Sequence, residues 1–271
     1  MLSTGDLSSV VGEWLGHIDR AAPTAAAATL YTGRSFTYTK RAAVLLNADI
    51  DVLSAGLGYV RGGTIIPSYN LAAGRGYGSV ADRISQFKSE EWWKAVNRGR
   101  FAAERLPEIN GRPVVMIALT RDYARMVRPM LEQFAAHADR IRIFGAGLAP
   151  YLPLPLADCL MPYDEGMELK GTKGDFAGRA MLTHARLLAA WAGRYDLSSE
   201  REAVRTMTRN PPHKASPRKA VSDEAIVRKV SPWLREEPTI AFTEILRRLR
   251  DHNGIACSQE RARRIVKGLI A

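Results

Sequence analysis

The sequence predicts an α/β protein: a three-layer α/β/α arrangement on a central parallel sheet of about four strands, followed by a small C-terminal helical domain. Three observations predict it. Val114–Leu119 is a continuous apolar run bounded by Gly-Arg-Pro and Thr120-Arg-Asp, the pattern of a strand buried on both faces. Arg140-Ile-Arg-Ile-Phe144 reads as a further strand, ending in Gly145-Ala-Gly147, and Met126, Met130, Leu131 and Phe134 before it fall on one helical stripe. Strand, helix and strand at this spacing imply a right-handed crossover and parallel pairing. Last, a cationic, Pro-rich stretch at 209–220 precedes three short helical patterns. The expected division is an α/β domain over 1–208, a linker over 209–220 and a helical domain over 221–271.

In chain order, Val10, Val11, Trp14, Leu15 and Ile18 give residues 1–28 one apolar helical face, which Pro23 interrupts. A helix over Thr39–Asn47 feeds a strand at Ile50–Leu53. That strand stops at Ser54-Ala-Gly-Leu-Gly, and a long loop rich in Gly, Pro and Tyr runs on to Gly78. Helices are expected at Ser79–Phe87 and Glu90–Arg105, ended by Pro107 and the Asn110-Gly111 turn. After the strands at Val114–Leu119 and Arg140–Phe144 a weaker fourth strand is expected near Ala157–Met161. Leu169-Lys-Gly-Thr-Lys-Gly-Asp then opens a helix to about Ala192, with Asp175 placed to cap it. Glycines before a helix can cradle phosphate. The spacing here, however, matches neither the P-loop nor the dinucleotide fingerprint, which argues against a nucleotide hydrolase or a Rossmann enzyme. In the last quarter, helices are expected at Asp223–Leu234, Ile240–Arg250 and Ser258–Ile270, a helix-turn-helix or winged-helix pattern. Its final helix places Arg261, Arg264 and Lys267 on one face with Arg263 alongside, and Ile265, Leu269 and Ile270 on the buried side.

Composition narrows the function. Hydrophobic residues make up 46% of the chain and charged residues 25%, the balance of a soluble globular protein. No apolar run approaches the roughly 20 residues of a membrane span, and the N-terminus lacks a secretory pattern, so a cytoplasmic protein without a membrane partner is expected. Cys159 and Cys257 are far apart and the histidines are scattered singly, so neither a metal nor a cofactor is expected. The formal charge is +11, of which residues 209–271, with 14 Lys/Arg against 7 Asp/Glu, supply +7. A polyanion is the expected partner, nucleic acid ahead of a membrane surface.

Four segments carry a resemblance: Leu30-Tyr-Thr-Gly-Arg-Ser-Phe, Val52-Leu-Ser-Ala-Gly-Leu-Gly-Tyr-Val, Ile66-Pro-Ser-Tyr-Asn-Leu and, more loosely, Leu169-Lys-Gly-Thr-Lys-Gly. Over residues 28–192 the chain resembles a bacterial and phage family with a Leu-Tyr-Thr-Ser-x-x-Phe segment, a Leu-Ser-Ala-x-x-Gly-Leu strand, a Pro-x-Asp/Asn loop and a Leu-x-Gly-x-x-x-Gly ending. It departs from that family at the start, where members open with a strand and a Cys-Gly/Ser-x-x-Lys loop. The family is similar, at greater distance, to the peroxide-stress proteins and the extra domain of archaeosine synthases, within the uracil-DNA-glycosylase-like α/β/α fold. The resemblance implies a nucleobase pocket at the carboxyl ends of the parallel strands. By analogy with anti-phage enzymes that remove modified, for example glucosylated, pyrimidines, it also implies a DNA glycosylase.

Such an enzyme flips a base out of the duplex, stacks it, and stabilises a cationic sugar and an anionic leaving base. Tyr31, Tyr59 and Tyr69 are the candidate stacking or wall residues, with core filling as the other role open to each. Thr32, Ser54, Ser68 and Asn70 offer polar edges for the base, or turn caps. Gly56 and Gly58 permit close backbone approach. Asp122 and Asp175 are the candidate carboxylates, and either is also placed to cap a helix. Asp175 is preferred because glycines flank it, and Asp82, Asp164 and Glu165 are further candidates. Arg34, Arg75, Lys170 and Lys173 are candidate phosphate contacts in double-stranded DNA, together with the final-helix cations. A protein that binds a modified base without chemistry is the alternative. A nuclease is disfavoured, since no Asp/Glu cluster with an accompanying Lys stands at the end of one strand.

Overall fold

The structure is a computed structural model that describes residues 2–74, 78–109, 111–164, 167–209 and 218–270. The chain is mixed α/β and divides into two compact units, residues 1–212 and 213–271. Arg75 and Glu165, both candidates above, lie outside the described residues, as does most of the expected linker.

The first unit opens with α1 (Leu7–Arg20), started by Asp6, whose carboxylate accepts from the Ser9 amide at 2.8 Å. Val10, Trp14 and Ile18 recur at helical spacing and form its buried face. Then come β1 (Ala25–Ala26), α2 (Ala27–Leu30), α3 (Arg34–Leu46), β2 (Asp51–Ser54), β3 (Gly58–Arg61) and β4 (Ile65–Ile66). The expected strand at Ile50–Leu53 is present, but the expected loop after it is not. Gly58–Arg61 folds straight back as an antiparallel partner, with Leu53 opposite Tyr59 and Ser54 opposite Gly58. β1 pairs with β4 in the same antiparallel sense.

Three expected helices are shorter or absent, each for a local reason. Residues 79–87 form turns, because backbone groups there pair with Gly5: the Gly5 amide donates to Arg83 and the Ser85 amide donates to Gly5. The helix expected over 90–105 is α4 (Ser89–Val96). It ends where Asn97 turns its side chain to two jobs, donating to the Trp93 carbonyl and accepting from the Tyr59 amide, both at 2.8 Å. After β5 (Val115–Ala118), the helix expected at 121–137 is split into α5 (Arg121–Met126) and α6 (Arg128–Gln133). Pro129, without an N–H, stands at the start of α6.

β6 (Ile141–Phe144) pairs with β5 in parallel, Val115 opposite Ile141 and Ala118 opposite Phe144, so the crossover read from the sequence is present. The weaker strand near 157–161 is not. Leu154–Cys159 is a 3-10 turn containing Pro155, and only an isolated parallel bridge joins Leu160 to Ile143. Among the described residues the sheets have two strands each, and no four-strand sheet forms. The unit closes with α7 (Phe176–Ala190) and α8 (Leu197–Arg209). α7 lies tightly on α3, where a Cβ on Gly178 would stand 2.2 Å from the Ser35 carbonyl.

The second unit holds β7 (Lys219–Ala220), α9 (Asp223–Glu236), α10 (Phe242–Arg247), β8 (Ile255–Ala256) and α11 (Gln259–Ile270). The end of the expected linker is therefore strand, paired in parallel with β8. Ile226, Val230, Ile245, Leu249, Ile255, Ala262 and Ile265 form its core. Leu269, expected inside, is exposed, and Val266 takes the buried place. α10 continues as a π-helical turn over Arg248–His252, and the connection over 253–258 carries β8, so the two helices lack the three- to four-residue turn of a helix-turn-helix. No described helix is long and apolar enough to cross a membrane.

Candidate functional site

The turn between β2 and β3 is braced from several sides. The Ser54 hydroxyl accepts from the amides of Gly56 and Leu57 at 3.2 and 2.9 Å. The Trp14 and Trp92 indoles donate to the carbonyls of Gly56 and Ala55, each at 2.6 Å. Tyr69 lies edge-on to Trp14, with ring centroids 5.6 Å apart. A Cβ on Gly56 would stand 2.7 Å from Trp14 and 2.9 Å from Tyr69, so only glycine fits. The Gly56 amide, expected to face a ligand, is spent on Ser54. Gly56→Ala is expected to destabilise the first unit by about 1–3 kcal/mol, the cost of overpacking, read as a lower urea midpoint at constant slope. An unchanged midpoint would contradict the bracing.

From this turn a chain of hydroxyls runs outward. Ser54 pairs with the Tyr69 phenol, and Tyr69 pairs with the Tyr31 phenol at 2.5 Å. The two amides occupy the lone pairs of Ser54, so its proton goes to Tyr69, and that of Tyr69 goes to Tyr31. The Tyr31 proton is thereby directed out of the chain, and hydrogen bonds in series polarise one another. Burial holds the Tyr69 phenol well above the usual range, which keeps it protonated. Burial, with the neighbouring Tyr31, pushes Tyr123 up to about 12, while the Ala55 backbone pulls the other way. Tyr31, Ser54, Tyr69 and Tyr123 thus gather at one place, where Tyr123 was not foreseen.

Asp122 immediately precedes Tyr123 in the first turn of α5, whose cap is Thr120 and not Asp122. Its carboxylate is half exposed, 3.7 Å from Arg125, and faces Gly74, where a Cβ would lie 3.0 Å away. Asp122 is therefore held at the edge of the Tyr69–Gly74 loop with an accessible charge.

The other candidates disperse. Tyr59 is buried and donates to Asp51, so it is a core residue and no wall of a pocket. The expectation that glycines expose Asp175 is overturned: it is 2% exposed. Its carboxylate accepts from Arg179 at 2.6 Å and from the Thr172 amide and hydroxyl at 2.9 and 3.1 Å. Arg34 stands 3.3 Å away. A Cβ on Gly171 would strike both Asp175 and Arg179, so that glycine makes room for the ion pair. Burial opposes ionisation of Asp175, but its bonds to Arg179 and Thr172 prevail and hold its carboxyl below the usual range. Thr32, Ser68 and Asn70 are exposed, Lys173 is exposed, and Lys170 donates to the Met167 carbonyl at 3.3 Å. In the second unit Arg261 is an anchor, donating to Asp223 at 2.6 Å and to the Val221 carbonyl at 2.7 Å. Arg264 also reaches Asp223, at 2.8 Å, yet stays mostly exposed, and Lys267 is exposed.

A second polar cluster lies in the core. Arg142 forks onto Glu200 at 2.5 and 2.7 Å, His184 meets Glu200 at 2.8 Å, and Tyr163 meets His184 Nδ1 at 3.2 Å. Arg142, Glu200 and His184 are all buried. Arg142, between Ile141 and Ile143 in a strand, is the sequence signal for it, because a guanidinium buried there demands a partner. Burial pushes His184 below its ordinary 6.5, against the pull of Glu200. Burial opposes the ionisation of Glu200, but the bonds from Arg142 and His184 prevail and place it below 4.5. Both groups bind protons more readily in the unfolded chain, so both stabilise the fold above their unfolded values and lose that contribution as pH falls. The first unit should therefore weaken on acidification from pH 6.5 through His184, and again below pH 4.5 through Glu200. Urea unfolding of the protein and of His184→Gln checks this, and an equal slope near pH 6 in both would contradict it.

Among the described residues no group of three or more His, Cys, Asp or Glu side chains is placed to hold a metal ion. No family model, no curated protein and no solved structure matches the chain.

Proposed function

We propose that the protein is a DNA glycosylase that excises a flipped, modified base, such as a hypermodified pyrimidine of phage DNA, and leaves an abasic site. The observation that carries this reading is the Ser54–Tyr69–Tyr31 hydroxyl chain, which aims a polarised donor outward from a rigid turn. A departing base accumulates negative charge on its ring carbonyls, and a preorganised donor favours that charge without reorganising. In this reading Asp122, next to Tyr123 in sequence and facing Gly74, supplies the carboxylate that favours the cationic sugar, in place of the ion-paired Asp175. This reading takes β5–β6, with the Leu160 bridge, as the centre of a three-layer α/β/α arrangement. It also gives the second unit, which carries most of the surplus charge, the task of holding DNA phosphates through Arg264, Lys267 and the exposed Arg263.

The test is incubation with phage DNAs carrying different cytosine and thymine modifications, without metal, followed by alkali. Strand breaks that need the alkali step support a glycosylase. Direct breaks that require magnesium indicate a nuclease, and binding without product on every DNA indicates a recognition protein. Deleting residues 218–271 should reduce affinity for DNA and flatten its salt dependence, while near-ultraviolet circular dichroism shows the first unit still folded. Equal affinity and slope would contradict the role given to the second unit.

A further inference from the structure

Arg121 and Arg125 stand four apart on one face of α5, and both are exposed. Each guanidinium is held against a neutral group. Arg125 donates to the Tyr151 hydroxyl at 2.9 Å and lies over the Tyr151 ring, 4.5 Å from its centroid. Arg121 lies against Gly147, where a Cβ would stand 2.5 Å from its Nη2 and the backbone sits at φ +64°. Among the described residues Arg121 pairs with no carboxylate, and Arg125 meets Asp122 alone, at 3.7 Å. Two cations read from the sequence as phosphate contacts are drawn elsewhere: Arg34 stands against Asp175, and Lys170 donates to the Met167 carbonyl.

A guanidinium fork matches a phosphate bidentately, and a side chain already ordered loses little freedom when it binds. The order of charges along this turn is also particular: cation, carboxylate, cation at Arg121, Asp122 and Arg125. In DNA each sugar stands between two phosphodiesters. A sugar that becomes cationic is therefore a positive charge between two negative ones, the complement of those three side chains in order. A carboxylate alone at that place would repel both phosphates, and an arginine on either side of it offsets the repulsion.

We propose that Arg121 and Arg125 form a phosphate clamp, which seats the two phosphodiesters flanking the sugar that faces Asp122. The clamp rests on the reading of Asp122 as the carboxylate at the sugar. The probe is a duplex carrying one stable abasic-site analogue, a sugar without a base, on which no excision can occur. Its affinity for the full-length protein is read by fluorescence anisotropy over a range of salt. The double variant Arg121→Gln, Arg125→Gln should bind about a hundredfold more weakly, roughly tenfold for each charge-assisted contact. Its slope of log affinity against log salt should be lower by about two, one counterion for each phosphate released. The same duplex with uncharged methylphosphonates in place of the two flanking phosphates should bind the unaltered protein as weakly as the charged duplex binds the double variant. Those methylphosphonates should cost the double variant about threefold at most, because the contact they remove is already gone. Near-ultraviolet circular dichroism confirms folding of the variant. Losses that add in full, the mark of a merely structural effect, would overturn the clamp, as would unchanged binding and slope in the double variant or no affinity for the duplex. Base release by a protein without this coupling would leave excision standing and the clamp refuted. Coupling without base release from any modified DNA would refute excision and leave the clamp as a DNA contact.

Discussion

Replacing Asp122 with asparagine is expected to lower base release by roughly a thousandfold while leaving affinity for DNA within a factor of a few. That is about 4 kcal/mol of transition-state stabilisation. Asparagine keeps the shape of the side chain but removes the charge that would face the cationic sugar. The change should cost little stability, because Asp122 is half exposed and its ion pair with Arg125, at 3.7 Å, is worth at most a few tenths of a kcal/mol on a helix surface. Tyr31→Phe should act on the other side of the bond. It removes the terminal donor of the hydroxyl chain and is expected to slow release by about a hundredfold, most for bases with the most basic leaving carbonyl. Single-turnover rates on one modified DNA check both. A rate for Asp122→Asn within threefold of the unaltered protein would place the carboxylate elsewhere.

The largest stability effect is expected at Glu200. Glu200→Ala leaves the Arg142 guanidinium buried without its counter-charge, and deprives His184 of its acceptor. Breaking a buried ion pair in this one-sided way costs about 3–5 kcal/mol. The double replacement Arg142→Met, Glu200→Met should recover much of that loss, since apolar side chains of similar volume need no solvation. Tryptophan fluorescence in urea reads this cleanly in a Trp233→Phe background, because the other four tryptophans all belong to residues 1–212. A loss under 1 kcal/mol would mean that water or another cation replaces the pair.

The parts of the fold that were legible in the sequence are those set by local pattern. The apolar run Val114–Leu119 and the Arg-Ile-Arg-Ile-Phe segment at 140–144 hold the two parallel strands, and the Thr172–Asp175 segment is the start of a helix. Gly58–Arg61 was misread as loop because its flanking glycines signal a turn, whereas its strand character comes from pairing with Asp51–Ser54. Asp175 was misread for a related reason. Flanking glycines suggest exposure, but Gly171 instead makes room for Arg179 against the carboxylate. Of the site, Tyr31, Ser54 and Tyr69 were singled out individually. Their order in a donor chain depends on which lone pairs the Gly56 and Leu57 amides occupy, and no sequence pattern encodes that. The Arg142–Glu200–His184 cluster joins residues up to 58 positions apart, beyond the reach of any periodicity.

The most direct measurement is the mass-spectrometric yield of free base from a modified phage DNA in EDTA, compared with abasic sites counted on the same DNA. The proposed function predicts free base and abasic sites in equal amounts with the unaltered protein, and a roughly hundredfold slower appearance of both with Tyr31→Phe. Strand cleavage without free base, or neither product on any modified DNA, would contradict it.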